Sequence, residues 1–103
     1  MSAPGKNQLG KNQLHHLRQL AHDIKPIIII GNKGLTDNVM DEVKLALDHH
    51  ELIKVRVNAG DKSERQDMIE QMKQACEAQE VISIGHIVGL YKQAKEPKII
   101  LPK

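Results

Sequence analysis

Residues 25–36, KPIIIIGNKGLT, carry the strongest structural signal in the chain, because a strand, a turn and a helix start follow one another there. Pro26 bars a preceding helix from continuing. The four isoleucines at 27–30 are β-branched and favour a strand. No polar residue alternates with them, so we expect both faces of this strand to be covered, as in a central strand with parallel neighbours. Two glycines then bracket a turn, and Thr36 is suited to cap the following helix.

Hydrophobic periodicity on both sides of this stretch predicts the remaining elements. The predicted helices cover about residues 12–23, 37–49 and 64–79. The spacing of Ser63 and Gln66 is that of a capping box. The other predicted strands cover residues 52–57, 81–84 and 87–91, and the last two form a hairpin through Gly85 and His86. The order α-β-α-β-α-β-β predicts an α/β fold, a small mixed β-sheet packed with three helices.

A single domain is expected from 103 residues, of which 40% are hydrophobic and 27% charged. The pentapeptide GKNQL occurs twice in tandem, at residues 5–9 and 10–14, and two copies are too few for a solenoid. We therefore expect residues 1–11 to be a flexible extension and residues 12–103 to form the domain. After the last strand, Ile99, Ile100 and Leu101 predict either a short edge strand or a packed extension.

Composition excludes several classes of protein. The chain has no Trp, no Phe and one tyrosine, Tyr91, so a module that stacks bases on several aromatic rings is not expected. The longest apolar run, Ile27 to Ile30, is far shorter than a membrane span, and the N-terminus has no signal-peptide segment. A lone cysteine cannot form an internal disulfide, which suits the reducing cytoplasm. Cys76 lies on the apolar stripe of the third helix, so we expect a buried side chain rather than a nucleophile.

Neither a metal nor a cofactor is expected. Six histidines are present, but no HExxH or Cys–His spacing accompanies them. His22, His49 and His50 fall near helix C-termini, where a cation is favourable. The turn at 31–34 matches neither the Walker loop nor GxGxxG, which disfavours a nucleotide hydrolase and a small-molecule substrate. No carboxylate pair or Ser–His pair is brought together by the sequence, so an enzyme has little support.

Charge is unevenly distributed, although the net charge is only +2. Residues 1–36, 51–62 and 81–103 are net positive, whereas residues 37–50 and 63–80 are net negative. Two interpretations stay open at this point. One is a basic surface suited to a polyanion, and the other is ordinary solvated charge.

The turn Gly31-Asn32-Lys33-Gly34 has the features of a phosphate-binding loop. Glycine lets another backbone approach closely, and the start of a helix offers free N–H groups to an anion. Lys33 adds a mobile positive charge. Against this, Asp37 and Asp41 compete for the same helix end, and two glycines also suit a plain strand-to-helix connection.

Lys54 and Arg56 lie on one face of the second strand, opposite the apolar residues of that strand. Two neighbouring cations on a sheet face suit contact with a nucleic-acid backbone. The alternative is the solvent face of an edge strand, where lysine discourages aggregation.

Several motifs between residues 14 and 103 occur together in one known family. They are KP at 25–26, the isoleucine strand, GNKGLT at 31–36, HHELIKV at 49–55, IGH at 84–86, LYK at 90–92 and LP at 101–102. This set resembles the CRM domain (chloroplast RNA splicing and ribosome maturation) in its stand-alone bacterial form, the YhbY family. The sequence differs from that family where the pentapeptide repeat replaces a more basic lead-in, and at Lys92, where arginine is frequent.

The resemblance implies a fold similar to the C-terminal domain of translation initiation factor three. It implies an RNA-binding protein without catalytic activity, associated with precursors of the large ribosomal subunit, and a monomer is the default. By the same resemblance, the RNA-contacting loop consists of Gly31, Asn32, Lys33 and Gly34. We expect Lys33 and the amides of Gly34 and Leu35 to contact phosphates. A basic surface would extend this site through Lys25, Lys54, Arg56 and Lys92.

The leading alternative is a protein-interaction module. In that case the acidic second and third helices would dock a basic ribosomal protein, and the GNKG turn would only connect two elements.

Overall fold

The computed structural model describes residues 9–94 and 96–102. Most of the expected extension at residues 1–11 therefore lies outside the described residues. Within the described part, the chain forms three helices, α1 (Lys11–Asp23), α2 (Asp37–His50) and α3 (Lys62–Cys76). It also forms four strands, β1 (Pro26–Ile30), β2 (Leu52–Val57), β3 (Gln79–Ile84) and β4 (Ile87–Tyr91). The predicted order of elements and the mixed sheet are confirmed.

The third helix differs most from its prediction. Its N-cap is Asp61, whose carboxylate accepts the backbone N–H of Glu64 at 2.9 Å, while the Glu64 carboxylate accepts the N–H of Asp61 at 3.2 Å. The predicted capping box at Ser63 and Gln66 is therefore wrong, because two overlapping pairs share the required spacing. The helix also ends earlier than predicted, since Glu77 adopts a left-handed conformation with φ of 54°.

The sheet has the order β1-β2-β4-β3, so β1 and β3 are its edges. Strand β1 runs parallel to β2, whereas β4 is antiparallel to both of its neighbours. The prediction that β1 is a central, doubly covered strand is wrong, because Ile27 and Ile29 are 53% and 62% exposed. Ile28 and Ile30 belong to the core formed with α2 and α3, whereas Ile27 and Ile29 do not belong to the smaller core that α1 forms on the opposite face.

Helices cover the two faces of the sheet unequally. Helices α2 and α3 pack on one face and bury the larger core, which includes Val43, Leu47, Ile53, Val55 and Met72. Helix α1 packs on the other face. Its Leu17 and Ala21 form a smaller core with Leu52, Val81 and Tyr91 of the sheet. None of the described helices is long and apolar enough to cross a membrane. The remainder of the α1 side, which we call the open face, carries Ile27, Ile29, Lys54, Arg56 and Ile84.

Three connections meet at one end of the sheet, which we call the loop end. They are the GNKG loop after β1, residues 58–61 after β2, and the turn between β3 and β4. Hydrogen bonds tie them together: the N–H of Asn58 donates to the carbonyl of Ile30 at 2.8 Å, and the N–H of Val57 donates to the carbonyl of His86 at 2.7 Å. The parallel pairing of β1 and β2 places their C-terminal ends side by side, and the predicted hairpin at Gly85 and His86 adds the third connection.

The C-terminal tail is a packed extension rather than a strand. Ile99 and Leu101 pack against the smaller core beneath α1. The backbone of this tail is held by the side chain of Glu51, a buried carboxylate at the C-terminal end of α2. The tail therefore closes the α1 side of the sheet at the end opposite the GNKG loop.

Candidate nucleic-acid interface

The GNKG loop is an exposed, hydrogen-bonded turn. The N–H of Gly34 donates to the carbonyl of Gly31 at 2.9 Å, and the N–H of Thr36 donates to the carbonyl of Gly34 at 3.1 Å. The hydroxyl of Thr36 then accepts the N–H of Val39 at 3.2 Å, which confirms Thr36 as the N-cap of α2. Residues 31–33 are exposed to solvent. The turn is therefore both fixed in shape and open to a ligand.

The two glycines of the loop differ in whether the fold requires glycine at their position. Gly34 has a φ of 70°, a backbone conformation that favours glycine. The φ of Gly31 is not in the left-handed region, and a Cβ built at this position would meet nothing within 4 Å. The fold itself therefore requires glycine at 34 but not at 31. The open space at Gly31 leaves room for a ligand to approach the backbone.

The backbone donors of the loop differ from those expected. The amide of Gly34 is occupied within the turn, so it does not serve as an open phosphate donor in this conformation. Among the described residues, the amides of Asn32, Lys33 and Leu35 have no acceptor. The loop thus presents Lys33, whose side chain is exposed, together with three free N–H groups.

The predicted cationic residues fall into two groups. Arg56 lies near the loop end, where it pairs in register with Ile29 and donates from Nε to the Asn58 side chain at 3.1 Å. Lys54 follows on the same open face and is half-buried. Because β2 lies between β1 and β4, the interpretation of this pair as the face of an edge strand is wrong.

Lys25 and Lys92 lie at the opposite end of the sheet. Lys25 precedes β1, and Lys92 follows β4, with its N–H donating to the carbonyl of Glu51 at 2.9 Å. A strand of five residues spans roughly 15 Å, so neither lysine belongs to the surface around the GNKG loop. The eight predicted residues therefore do not form one continuous patch.

Acidic residues collect on the outer side of the α2 and α3 layer. Helix α2 exposes four carboxylates against a single lysine, and Asp37 lies in its first turn beside the GNKG loop. Such a carboxylate competes with an external anion for the helix N-terminus. Lys54 and Arg56 lie on the open face, so the sheet separates these two cations from the acidic side chains of α2.

The sequence reasoning missed a further group of polar side chains near the loop end, two cations and a histidine. Lys62 and Arg65 belong to the first half of α3, and His86 belongs to the β3–β4 turn. Lys62, Arg65 and Ile69 follow the helical spacing of a single face. This spacing is visible in the sequence, but only the tertiary structure shows that this face of α3 borders a cleft beside the β3–β4 turn.

Other candidate residues have structural roles. Cys76 is buried, as predicted, with its sulfur 3.7 Å from that of Met40. Burial raises the pKa of the Cys76 thiol, while Lys44 and Lys92 oppose the shift. His22, His49 and His50 occupy the last turns of α1 and α2, as expected. Within the described residues, no three metal-ligating side chains are grouped together.

The fold and the loop together define a small α/β domain with an exposed glycine-bracketed turn at a strand-to-helix junction. The sequence matches the CRS1 / YhbY (CRM) domain family over residues 9–92. The chain belongs to this family, which confirms the resemblance seen in its sequence motifs.

Relatives from several bacteria cover almost the whole chain. An "RNA-binding protein" of Haemophilus influenzae is 41% identical over 95 residues, which are 92% of this chain and 96% of the relative. The "Probable RNA-binding protein YqeI" of Bacillus subtilis is 36% identical over 85% of this chain and 92% of its own. The solution structure of the hypothetical protein SAV1595 from Staphylococcus aureus has a TM-score of 0.78 and 32% identity, and covers 92% of this chain and all of its own. The names of the family and of these relatives point to RNA binding rather than to enzymatic activity.

Proposed function

We propose that this chain is an RNA-binding protein that associates with precursors of the large ribosomal subunit and assists their assembly. It would act as a monomer in the cytoplasm and would bind without catalysis, cofactor or small-molecule substrate. Support comes from the family membership, from the relatives named as RNA-binding proteins, and from the loop end of the sheet.

One observation carries the proposal, namely the exposed GNKG loop with unoccupied backbone donors. The free amides of Asn32, Lys33 and Leu35 suit the oxygens of a phosphate, and Lys33 adds a positive charge. The open space at Gly31 admits a sugar–phosphate backbone at close range. Glycine-bracketed loops of this kind clamp the backbone of RNA in KH domains.

Arg56 and Lys54 extend this surface along the open face. Contacts of this type are made to phosphates and therefore select little for base sequence. Apart from histidines, the chain has one aromatic side chain, Tyr91, and this ring is buried, so no Phe, Tyr or Trp ring is available for base stacking at the surface. Recognition would therefore depend on the shape of the RNA and would weaken as salt increases.

The first experiment measures binding of large-subunit ribosomal RNA fragments at several salt concentrations. We expect a linear fall of log K with log salt, and we expect Lys33→Gln to reduce its slope by about 0.7 to 0.9. Lys11→Gln is the matched control, because Lys11 is an exposed lysine on a different element, α1. A salt-independent affinity, or full binding by Lys33→Glu, would contradict the proposal.

Gly31→Ala separates binding from folding. The new methyl group meets no protein atom within 4 Å, so the thermal midpoint should equal that of the wild type. RNA affinity should fall, because the methyl group occupies space that the RNA backbone requires. Unchanged affinity would show that RNA does not approach Gly31.

The ribosomal assignment needs an experiment in cells. Crosslinking followed by sequencing of the attached RNA should recover large-subunit precursor RNA from the wild-type chain and much less from Lys33→Glu. If only unrelated RNAs are recovered, the chain still binds RNA, but the proposed role in ribosome assembly is contradicted.

The acidic layer favours a second candidate, a module that docks a basic ribosomal protein. Its basis is the outer side of α2, where Asp37, Asp41, Glu42 and Asp48 are exposed. Pull-down from a nuclease-treated lysate separates the two functions. A specific basic ribosomal protein that remains bound after RNA removal, and is lost with Asp41→Asn and Glu42→Gln together, supports this candidate.

A further inference from the structure

A cleft of about 410 Å³ lies beside the loop end, between the first half of α3 and the turn that joins β3 to β4. Val57 and Ile69 form its apolar floor, and both are buried in the main core. Polar side chains form its walls: Lys62, Arg65, Gln66, Ser83 and His86. The volume is within the range of small-ligand sites, and the mainly polar lining suits a charged ligand rather than an apolar one.

Two cations, Lys62 and Arg65, line the cleft, and the carboxylates next to them in sequence, Asp61 and Glu64, are not among its lining residues. Asp61 and Glu64 are held in the capping box, where each accepts the backbone N–H of the other. Arg65 is positioned by a hydrogen bond from Nη1 to the carbonyl of Gly60 at 3.2 Å, which leaves further N–H donors on its guanidinium group. Within the described residues, neither Lys62 nor Arg65 has a carboxylate oxygen within 4 Å.

His86 contributes an acceptor to the same cleft. Its Nδ1 lies 3.0 Å from the carbonyl oxygen of Val57, and a carbonyl only accepts, so Nδ1 carries the proton. In the neutral ring, Nε2 is therefore a free acceptor, which suits a donating hydroxyl group. Two cations and one such acceptor match a phosphate and the ribose 2′-hydroxyl beside it.

The cleft and the GNKG loop lie at the same end of the sheet. Strands β1 and β3 are separated by three strand spacings, roughly 14 Å, which one RNA strand can bridge. Helix α3 borders both places. Met68 lies 3.7 Å from the Cβ position of Gly34, and the adjacent Ile69 lines the floor of the cleft.

We propose that this cleft between α3 and the β3–β4 turn is a second sugar–phosphate subsite, which holds the RNA strand that the GNKG loop binds. The inference rests on the proposed function, since it assumes an RNA ligand. Lys62 and Arg65 bind the phosphate, and His86 accepts a hydrogen bond from the ribose hydroxyl.

The test compares two double variants of the whole chain in titrations with a short single-stranded RNA at several salt concentrations. Removing two phosphate contacts with Lys62→Gln and Arg65→Gln should lower the salt slope by about 1.4, at about 0.7 for each contact. The matched control combines Lys11→Gln and Lys44→Gln, which remove the same charge from exposed positions on α1 and α2. Equal slopes for the two double variants would overturn the subsite.

A second measurement does not depend on the loop. Titration with inorganic phosphate should shift the amide resonances of Gly85 and His86 in a saturable manner, and the cleft double variant should lose this response. No response in the wild type overturns the proposal. A chain that responds to phosphate but binds no RNA overturns both the proposed function and the RNA assignment, and identifies the cleft as a site for free phosphate.

Discussion

The side-chain carboxylate of Glu51 accepts the backbone N–H of Lys98 at 2.6 Å, and thereby ties the C-terminal tail to the end of α2. The same oxygen accepts the N–H of Ile99 at 2.7 Å, and the second oxygen accepts the N–H of Ala94 at 2.8 Å. The Nζ of Lys98 also donates to the carbonyl of His49 at 2.6 Å. A fully buried carboxylate is thus satisfied by the main chain of the tail, as burial of a charge requires.

Glu51 also adopts an unusual backbone conformation, with φ of 64°. Such a conformation costs about 1–3 kcal/mol for a residue with a side chain, so it persists only where other contacts outweigh it. Here the carbonyl of Glu51 accepts the N–H of Lys92, and the N–H of Glu51 closes the last turn of α2. The strained residue therefore joins helix, strand and tail.

We expect Glu51→Gln to destabilise the fold by about 1–3 kcal/mol, because the amide group presents a donor where the tail also presents donors. Chemical denaturation gives the free energy, and amide hydrogen exchange at Lys98 and Ile99 should accelerate. Glu77→Gln is the matched control. Glu77 also caps a helix with positive φ, but its side chain is exposed, so its stability should not change. Equal effects of the two substitutions would show that the tail contacts contribute nothing.

Tyr91 should make stability depend on alkaline pH. Burial raises the pKa of the Tyr91 hydroxyl, and the Glu51 carboxylate raises it further. Since the folded state then favours the neutral phenol, the contribution of Tyr91 to stability should be constant below the unfolded pKa of about 10 and should fall as pH rises toward the folded pKa. Tyr91→Phe should remove this part of the decline. Tyrosinate absorbance reports the residue directly, because the chain has no other tyrosine and no tryptophan.

The hydroxyl of Tyr91 has no hydrogen-bond partner among the described residues, although it is buried. At neutral pH, Tyr91→Phe should therefore leave stability unchanged or raise it by up to about 1 kcal/mol. A clear loss of stability at neutral pH would indicate that the hydroxyl is bonded in solution.

The two glycines of the GNKG loop should respond differently to alanine. Gly34→Ala should cost about 1 kcal/mol, since φ of 70° disfavours a Cβ even though space is available. Gly31→Ala should cost nothing measurable in thermal unfolding. A loss of stability at both positions would mean that the turn is more constrained than its contacts indicate.

Gly89 allows β3 and β4 to pack closely. A Cβ at this position would lie 2.6 Å from Cγ2 of Ile82 and 3.2 Å from Cγ2 of Val81. We expect Gly89→Ala to destabilise the fold by about 1–3 kcal/mol through overpacking. In a chain that already carries Ile82→Ala, Gly89→Ala should cost less stability than it does in the wild type, because the nearest methyl group is gone. Simple additivity in this double-mutant cycle would contradict a direct clash.

Much of this protein is readable from local sequence. Thr36 caps α2 because a side-chain oxygen at that position reaches a backbone N–H three residues later, and both partners lie in one short segment. Strand β2 shows its buried face through the alternation of Ile53, Val55 and Val57 with more polar residues. The GNKG turn is equally local, since its hydrogen bonds join residues three or fewer apart.

The remaining features depend on contacts between residues that are distant in sequence. The isoleucine run of β1 is compatible with either a central or an edge strand, and only the order β1-β2-β4-β3 exposes Ile29. The antiparallel pairing of β4 with β2 places Lys92 at the end of the sheet opposite the loop, and packing of α3 brings Lys62 and Arg65 beside His86. Glu51 shows no local sign of burial, because the N–H groups that it binds arrive from more than forty residues away. Periodicity records which side of an element is apolar, whereas neighbours distant in sequence are chosen by the packing of the whole chain.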